Sequence, residues 1–137
     1  MLAVGSVAAD AARPSGGATY RGSLVGSLST ISISLHVARS GASVARIAVS
    51  HLPFYCRGQA PPASRISFAS APISASGRFS ARGADMIGVG PFKGTAAATL
   101  TITGTFGVGG RESGVLTTVF AGAARRCSGH SSYRTHS

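Results

Sequence analysis

Between Ser29 and Val37 the chain alternates strictly. Ile31, Ile33, Leu35 and Val37 fall on one side of an extended backbone, and Ser32, Ser34 and His36 on the other. Successive side chains of a β-strand point to opposite faces, so this run predicts a strand with one buried and one wet face. Ala98–Phe106 repeats the pattern, with Leu100, Ile102 and Phe106 inward and Thr99, Thr101, Thr103 and Thr105 outward. Four threonines on one face suit a pleated surface, where β-branched side chains fit well. No stretch carries the apolar stripe of an amphipathic helix. These periods confine the chain to an all-β fold.

The remaining segments are read on the same basis. Arg39–Ala42 is a turn, and Ser43–Ser50 a second strand with Ala45, Ile47 and Val49 on one face, giving an antiparallel hairpin. Pro53 interrupts, and Arg57–Ser64 is a loop with two prolines. Short strands are predicted at Arg65–Ala69, Ile73–Ala75 and Gly77–Ala81, and a glycine-rich loop over residues 83–94. Gly107–Arg111 is a turn, Gly114–Ala121 the returning strand, and Tyr133–Thr135 a last short strand. About eight short strands with turns every 8 to 12 residues give the pattern of a sandwich or barrel, and the expected architecture is an antiparallel β-sandwich. Its core is expected to hold Ile31, Ile33, Leu35, Ile47, Val49, Leu100, Ile102, Phe106 and Val119.

A chain of 137 residues corresponds to one domain and can bury about two-thirds of its unfolded surface. Its charge is sparse and one-sided: 13 basic residues against 3 acidic, a net charge of +10, and every basic residue except Lys93 is arginine. Such a chain attracts polyanions, including nucleic acid, anionic cell-wall polymers and lipid head groups. The arginines are scattered from Arg21 to Arg134, which reads more as a general basicity than as a local binding motif.

Two cysteines, Cys56 and Cys127, stand 71 residues apart, a spacing that fits neither a redox pair nor a zinc site. In an exported β-domain an even count predicts one bridge. Export is expected from the first residues: a short apolar run, then small residues at Ala9 and Ala11, as at a signal-peptidase site. The run lacks a positive start, as if a signal peptide were truncated at its N-terminus. Residues 1–17 are therefore read as a signal remnant and linker, and residues 18–137 as the domain, secreted or held at the cell surface. No segment is long and apolar enough for a membrane-spanning helix.

Catalytic groups are scarce. Asp10 lies in the leader, leaving Asp85 and Glu112, both read as solvated residues, one in the glycine loop and one in a turn. A glycosidase pair would need them about 5–10 Å apart. There is no nucleophile elbow for a serine triad, and bridged thiols exclude cysteine catalysis. His36, His51, His130 and His136 are read as exposed, without a metal site among them. No phosphate loop, dinucleotide fingerprint or calcium loop occurs, so no cofactor is implied. Tryptophan is absent and the three tyrosines are dispersed, which argues against specific nucleic-acid recognition.

Several short motifs follow one another in a set order. Tyr20-x-Gly22 comes first, then Cys56-Arg57-Gly58, Gly77-x-Phe79 and Ile102-x-Gly104-x-Phe106. Ser113-Gly114-Val115-Leu116 and Cys127-Ser128-Gly129-x-x-x-Tyr133-x-Thr135 complete the series. Over residues 19–135 this order resembles a family of small secreted bacterial β-sandwich domains of unassigned function. Tyr133 departs from that pattern, where tryptophan is more common, and the glycine-rich stretch 83–94 is unusual. The resemblance implies the fold and the disulfide, and no catalytic residues. The expected function is a non-catalytic extracellular module with weak affinity for a polyanion or cell-surface polymer. The alternative is an extracellular hydrolase with a loop site around Asp85 or Glu112.

Overall fold

The computed structural model describes residues 13–50, 67–86, 97–121 and 126–137. Among these residues nine strands form: β1 (Thr19–Leu24), β2 (Ser32–Val37), β3 (Ser43–Val49), β4 (Ser67–Phe68), β5 (Ala71–Pro72), β6 (Arg78–Met86), β7 (Ala97–Phe106), β8 (Arg111–Ala121) and β9 (Arg126–His136). Every pairing is antiparallel. The only helical elements among the described residues are two three-residue 3-10 turns.

The fold is all-β and antiparallel, as the period of two requires, but the expected pair of facing sheets is a single sheet. Its order is β4-β6-β7-β8-β9-β1-β2-β3-β5. The sheet curls until β5 lies beside β6 and β3 beside β4, nearly closing a barrel. Alternation alone cannot separate the two architectures, because both have one inner and one outer face. The join is β1 against β9, which links one meander (β1-β2-β3) to another (β6-β7-β8-β9). β1 itself, centred on the Tyr20-x-Gly22 motif, escaped the period-two reading. Its inner positions are Tyr20, Gly22 and Leu24, and a glycine blurs an apolar alternation.

The interior is built in cross-strand rows. Phe106, Glu112, Thr135, Gly22 and Ile33 form one, and Phe79, Gly104, Gly114, Tyr133 and Leu24 the next. Ala81, Ile102, Leu116 and Ser131 form a third. Phe106 lies edge-on to Tyr20, with ring centroids 5.0 Å apart, and 5.4 Å from Phe79. Of the expected core, Ile31, Ile33, Leu35, Ile47, Leu100, Ile102 and Phe106 are buried, and Val49 is half-buried against them.

Two expectations about facing are corrected. A β-bulge shifts the register between His36 and Val37, so that His36 faces Arg46 while Val37 faces Val44. The extra residue reverses the alternation within β3, and Val44 and Ile47 are buried instead of Ala45 and Ile47. Val119 is only half-buried, because β8 turns Leu116 and Thr118 inward. Both faces of β8 carry apolar and threonine residues, so only pairing with Ile102 and Leu100 on β7 decides which faces the core.

Strand limits differ as well. β6 runs on to Met86, converting the start of the expected 83–94 loop into strand, and Tyr133–Thr135 is part of the eleven-residue β9. Around Pro72 the strand is Ala71–Pro72 rather than Ile73–Ala75, though Ile73 is buried. The segment at 13–18 is held in place: Gly17 N–H donates toward the Val37 and Ala38 carbonyls, and Pro14 is buried. The leader through residue 12, His51, the Arg57–Ser64 loop and Cys56 lie outside the described residues.

Candidate functional site

Glu112 is the first inward-facing residue of β8, and it is 2% exposed. Its carboxyl accepts two hydroxyl hydrogen bonds, from Tyr133 (2.5 Å to Oε2) and Thr135 (2.6 Å to Oε1), both inward residues of β9. Gly104 makes the room. A Cβ there would collide with the Glu112 carboxyl and lie 2.5 Å from Tyr133 Oη and 2.7 Å from Phe79 Cε1. Gly104, Phe106, Tyr133 and Thr135 thus all surround one buried acid, although their motifs are separated along the chain.

Burial raises the Glu112 carboxyl to about 7, against the pull of its two hydroxyl donors, which favour the ionised form. Tyr133 is pushed up by burial and by the neighbouring carboxyl, and Tyr20 by burial, opposed by its hydrogen bond to Ser137. Glu112 is therefore no solvated turn residue. One register step moves it from the hairpin bend onto the interior face, and sequence periodicity gives no warning, because a lone glutamate next to an arginine reads as surface.

The hydrolase pair is not assembled. Asp85 lies opposite Ala98 and Glu112 opposite Phe106, at two ends of β7. Eight residues of strand separate them by roughly 27 Å, far beyond the 5–10 Å a carboxylate pair requires. Among the described residues no group of three potential metal ligands occurs. His36 shares a 3.0 Å hydrogen bond with Thr19 Oγ1, and His130 and His136 are exposed. Cys127 lies opposite Phe120.

The outer face tells a different story. Cross-strand register lines up Arg111, His136 and Arg21 on β8, β9 and β1, and places Arg134 one step along β9. Arg46 faces His36 on the neighbouring pair β3–β2. The guanidiniums of Arg21, Arg46, Arg111 and Arg134 are exposed, and none is held by an ion pair among the described residues. Positions scattered through the sequence are thus gathered on the outer face of five neighbouring strands, β8, β9, β1, β2 and β3. Between Arg111 and Arg134 lies a cleft of about 540 Å³, which Thr105 and Ser113 also line. Arginine side chains clustered without partner carboxylates can bind phosphate, sulfate or carboxylate groups in forked pairs of hydrogen bonds. No helix among the described residues is long and apolar enough to cross a membrane. Compared with known proteins, the chain matches no family model, no curated sequence and no solved structure.

Proposed function

We propose that this chain is a non-catalytic extracellular module that binds an anionic cell-surface polymer on the outer face of β8, β9, β1, β2 and β3. The observation that carries the reading is the cross-strand row Arg111–His136–Arg21, with Arg134 and the Arg46–His36 pair beside it. A row of unpaired arginines follows a linear polyanion better than it encloses a small molecule, and the remaining positive charge of the chain adds long-range attraction. The leader-like first residues support export, and so does the resemblance of the motif order to a family of small secreted domains, although the sheet here is single and curled where that family implies a sandwich. In this reading Cys56 and Cys127 are bridged. On a chain-entropy estimate, closing a 71-residue loop stabilises the fold by roughly 4 kcal/mol.

The test is affinity for a polyphosphate and for a sulfated polysaccharide, measured against salt. Binding is expected to be weak, to fall as salt rises, and to show no nucleotide-sequence preference when single-stranded DNA is used instead. Each of Arg21→Gln and Arg46→Gln is expected to lower the log–log salt slope by roughly one. No binding at low salt, or binding indifferent to both substitutions, would show that the basic face is merely compositional.

A further inference from the structure

The geometry points to more than a diffuse basic face: we infer that the cleft between Arg111 and Arg134 is a discrete site for one tetrahedral oxyanion group, of the phosphate or sulfate type. Register is the first support. Thr105, Ser113 and Arg134 lie on one line across β7, β8 and β9, all exposed, and Arg111 is two residues before Ser113 on β8. Ser113 is directly opposite Arg134, and Arg111 is its diagonal neighbour. Side chains in those relations start about 5 and 7–8 Å apart, close enough for two guanidiniums to converge on one group.

The donor chemistry is the second support. Each guanidinium offers a planar fork of N–H donors, and a tetrahedral oxyanion has enough acceptor oxygens to take both forks and the two hydroxyls together. The Thr105 and Ser113 hydroxyls make no hydrogen bond to another described residue, so both are free to donate. Glu112 is itself among the residues that line the cleft, but its carboxyl oxygens are taken by the Tyr133 and Thr135 hydroxyls, so it does not compete for the arginines. A second depression, of about 440 Å³ beside Pro72, Ile73 and Phe79, offers a single guanidinium, that of Arg78, which lies opposite Thr105 at the edge of the first.

The site deepens the polymer-binding reading and rests on it only for the source of the oxyanion, so the two are tested separately. Inorganic phosphate and sulfate are titrated into the full chain while backbone amide shifts are followed. One saturable site is expected for each ion, with the largest shifts at Thr105, Arg111, Ser113 and Arg134. Arg111→Gln and Arg134→Gln should each weaken the free ions about tenfold, the loss of a charge-assisted hydrogen-bonded contact. Ser113→Ala, which leaves the charge intact, should weaken them several-fold, and Arg82→Gln, an exposed arginine opposite Thr101 and away from the cleft, should have no effect. Non-saturating shifts spread over all the arginines, or an Arg82→Gln effect equal to that of Arg134→Gln, would overturn the site.

Polymers complete the test. If Arg134→Gln costs more affinity for polyphosphate than for a sulfated polysaccharide, the group is a phosphate; the reverse assigns a sulfate. Saturable ion binding in the cleft with no binding of either polymer keeps the site and sinks the polymer reading. Polymer binding with no saturable ion site, and with Arg134→Gln no worse than Arg21→Gln, keeps the polymer reading and sinks the site.

Discussion

A single buried acid sets much of the behaviour expected of this domain. Glu112 is neutral more readily in the folded chain than in the unfolded one, since burial raises it from 4.5 to about 7. Between those values the folded state binds more protons than the unfolded state, so stability falls as pH rises from about 4.5 to 7 and levels off above. A rise of this size corresponds to roughly 3 kcal/mol. Melting temperatures of the native chain and of Glu112→Gln should therefore differ little near pH 4.5, with the variant clearly ahead at pH 8. A wild-type advantage at pH 8 would mean that the carboxylate is stabilised by its two hydroxyl donors after all. A smaller gain is expected at Thr118, whose buried hydroxyl finds no hydrogen-bond partner among the described residues. Thr118→Val keeps the shape and removes the orphaned group, which should stabilise the fold by about 1 kcal/mol in denaturant titration. Neither residue announced itself in the sequence. A glutamate beside a turn and a threonine in a strand are ordinary on a surface, and only pairing with β7 and β9 turns them inward.

At the scale of elements, the runs that spoke most clearly were those whose two faces differ most. Ser29–Val37 and Ala98–Phe106 alternate between aliphatic and hydroxyl side chains, and the inner faces read from them are the ones observed. β3 and β8 were misread for separate physical reasons. In β3 a bulge breaks the period, and in β8 the two faces are too alike for hydropathy to choose between them. The bulge leaves a measurable signature. Val44→Ala should cost about 2 kcal/mol, as removal of buried methyl groups does, whereas Ala45→Ser should stay within about 0.5 kcal/mol. The opposite ranking in a chemical-denaturation series would restore the unbulged strand. Gly104 is a second such position. Its Ile102-x-Gly104-x-Phe106 motif was visible in the sequence, but its purpose, to leave space for the Glu112–Tyr133 pair, appears only once β7, β8 and β9 lie side by side. Gly104→Ala should cost about 3 kcal/mol through crowding of those groups.

For the molecule as a whole, the charge was legible in amount but not in arrangement. Counting gives +10, while the row Arg111–His136–Arg21 exists only because strands far apart in sequence become neighbours. The proposed bridge between Cys56 and Cys127 is open to a direct measurement: thiol titration of the unfolded, unreduced protein should find no reactive thiol, and two per chain would overturn the pairing. The β1–β9 join has a further consequence. It sets Arg21 against His136, more than a hundred residues apart, and among the described residues it is the only ladder between the two meanders. Contacts so distant in sequence form late, because the entropy of closing the intervening loop must be met first. While the chain is being synthesised, β1 waits with one edge unpaired until β9 has left the ribosome. A ribosome-arrested chain that ends before β9 should remain protease-sensitive, and one extended by a linker past residue 137 should be resistant. A polypeptide that stays open until its last strand appears is also one that can still be threaded through a narrow translocation pore.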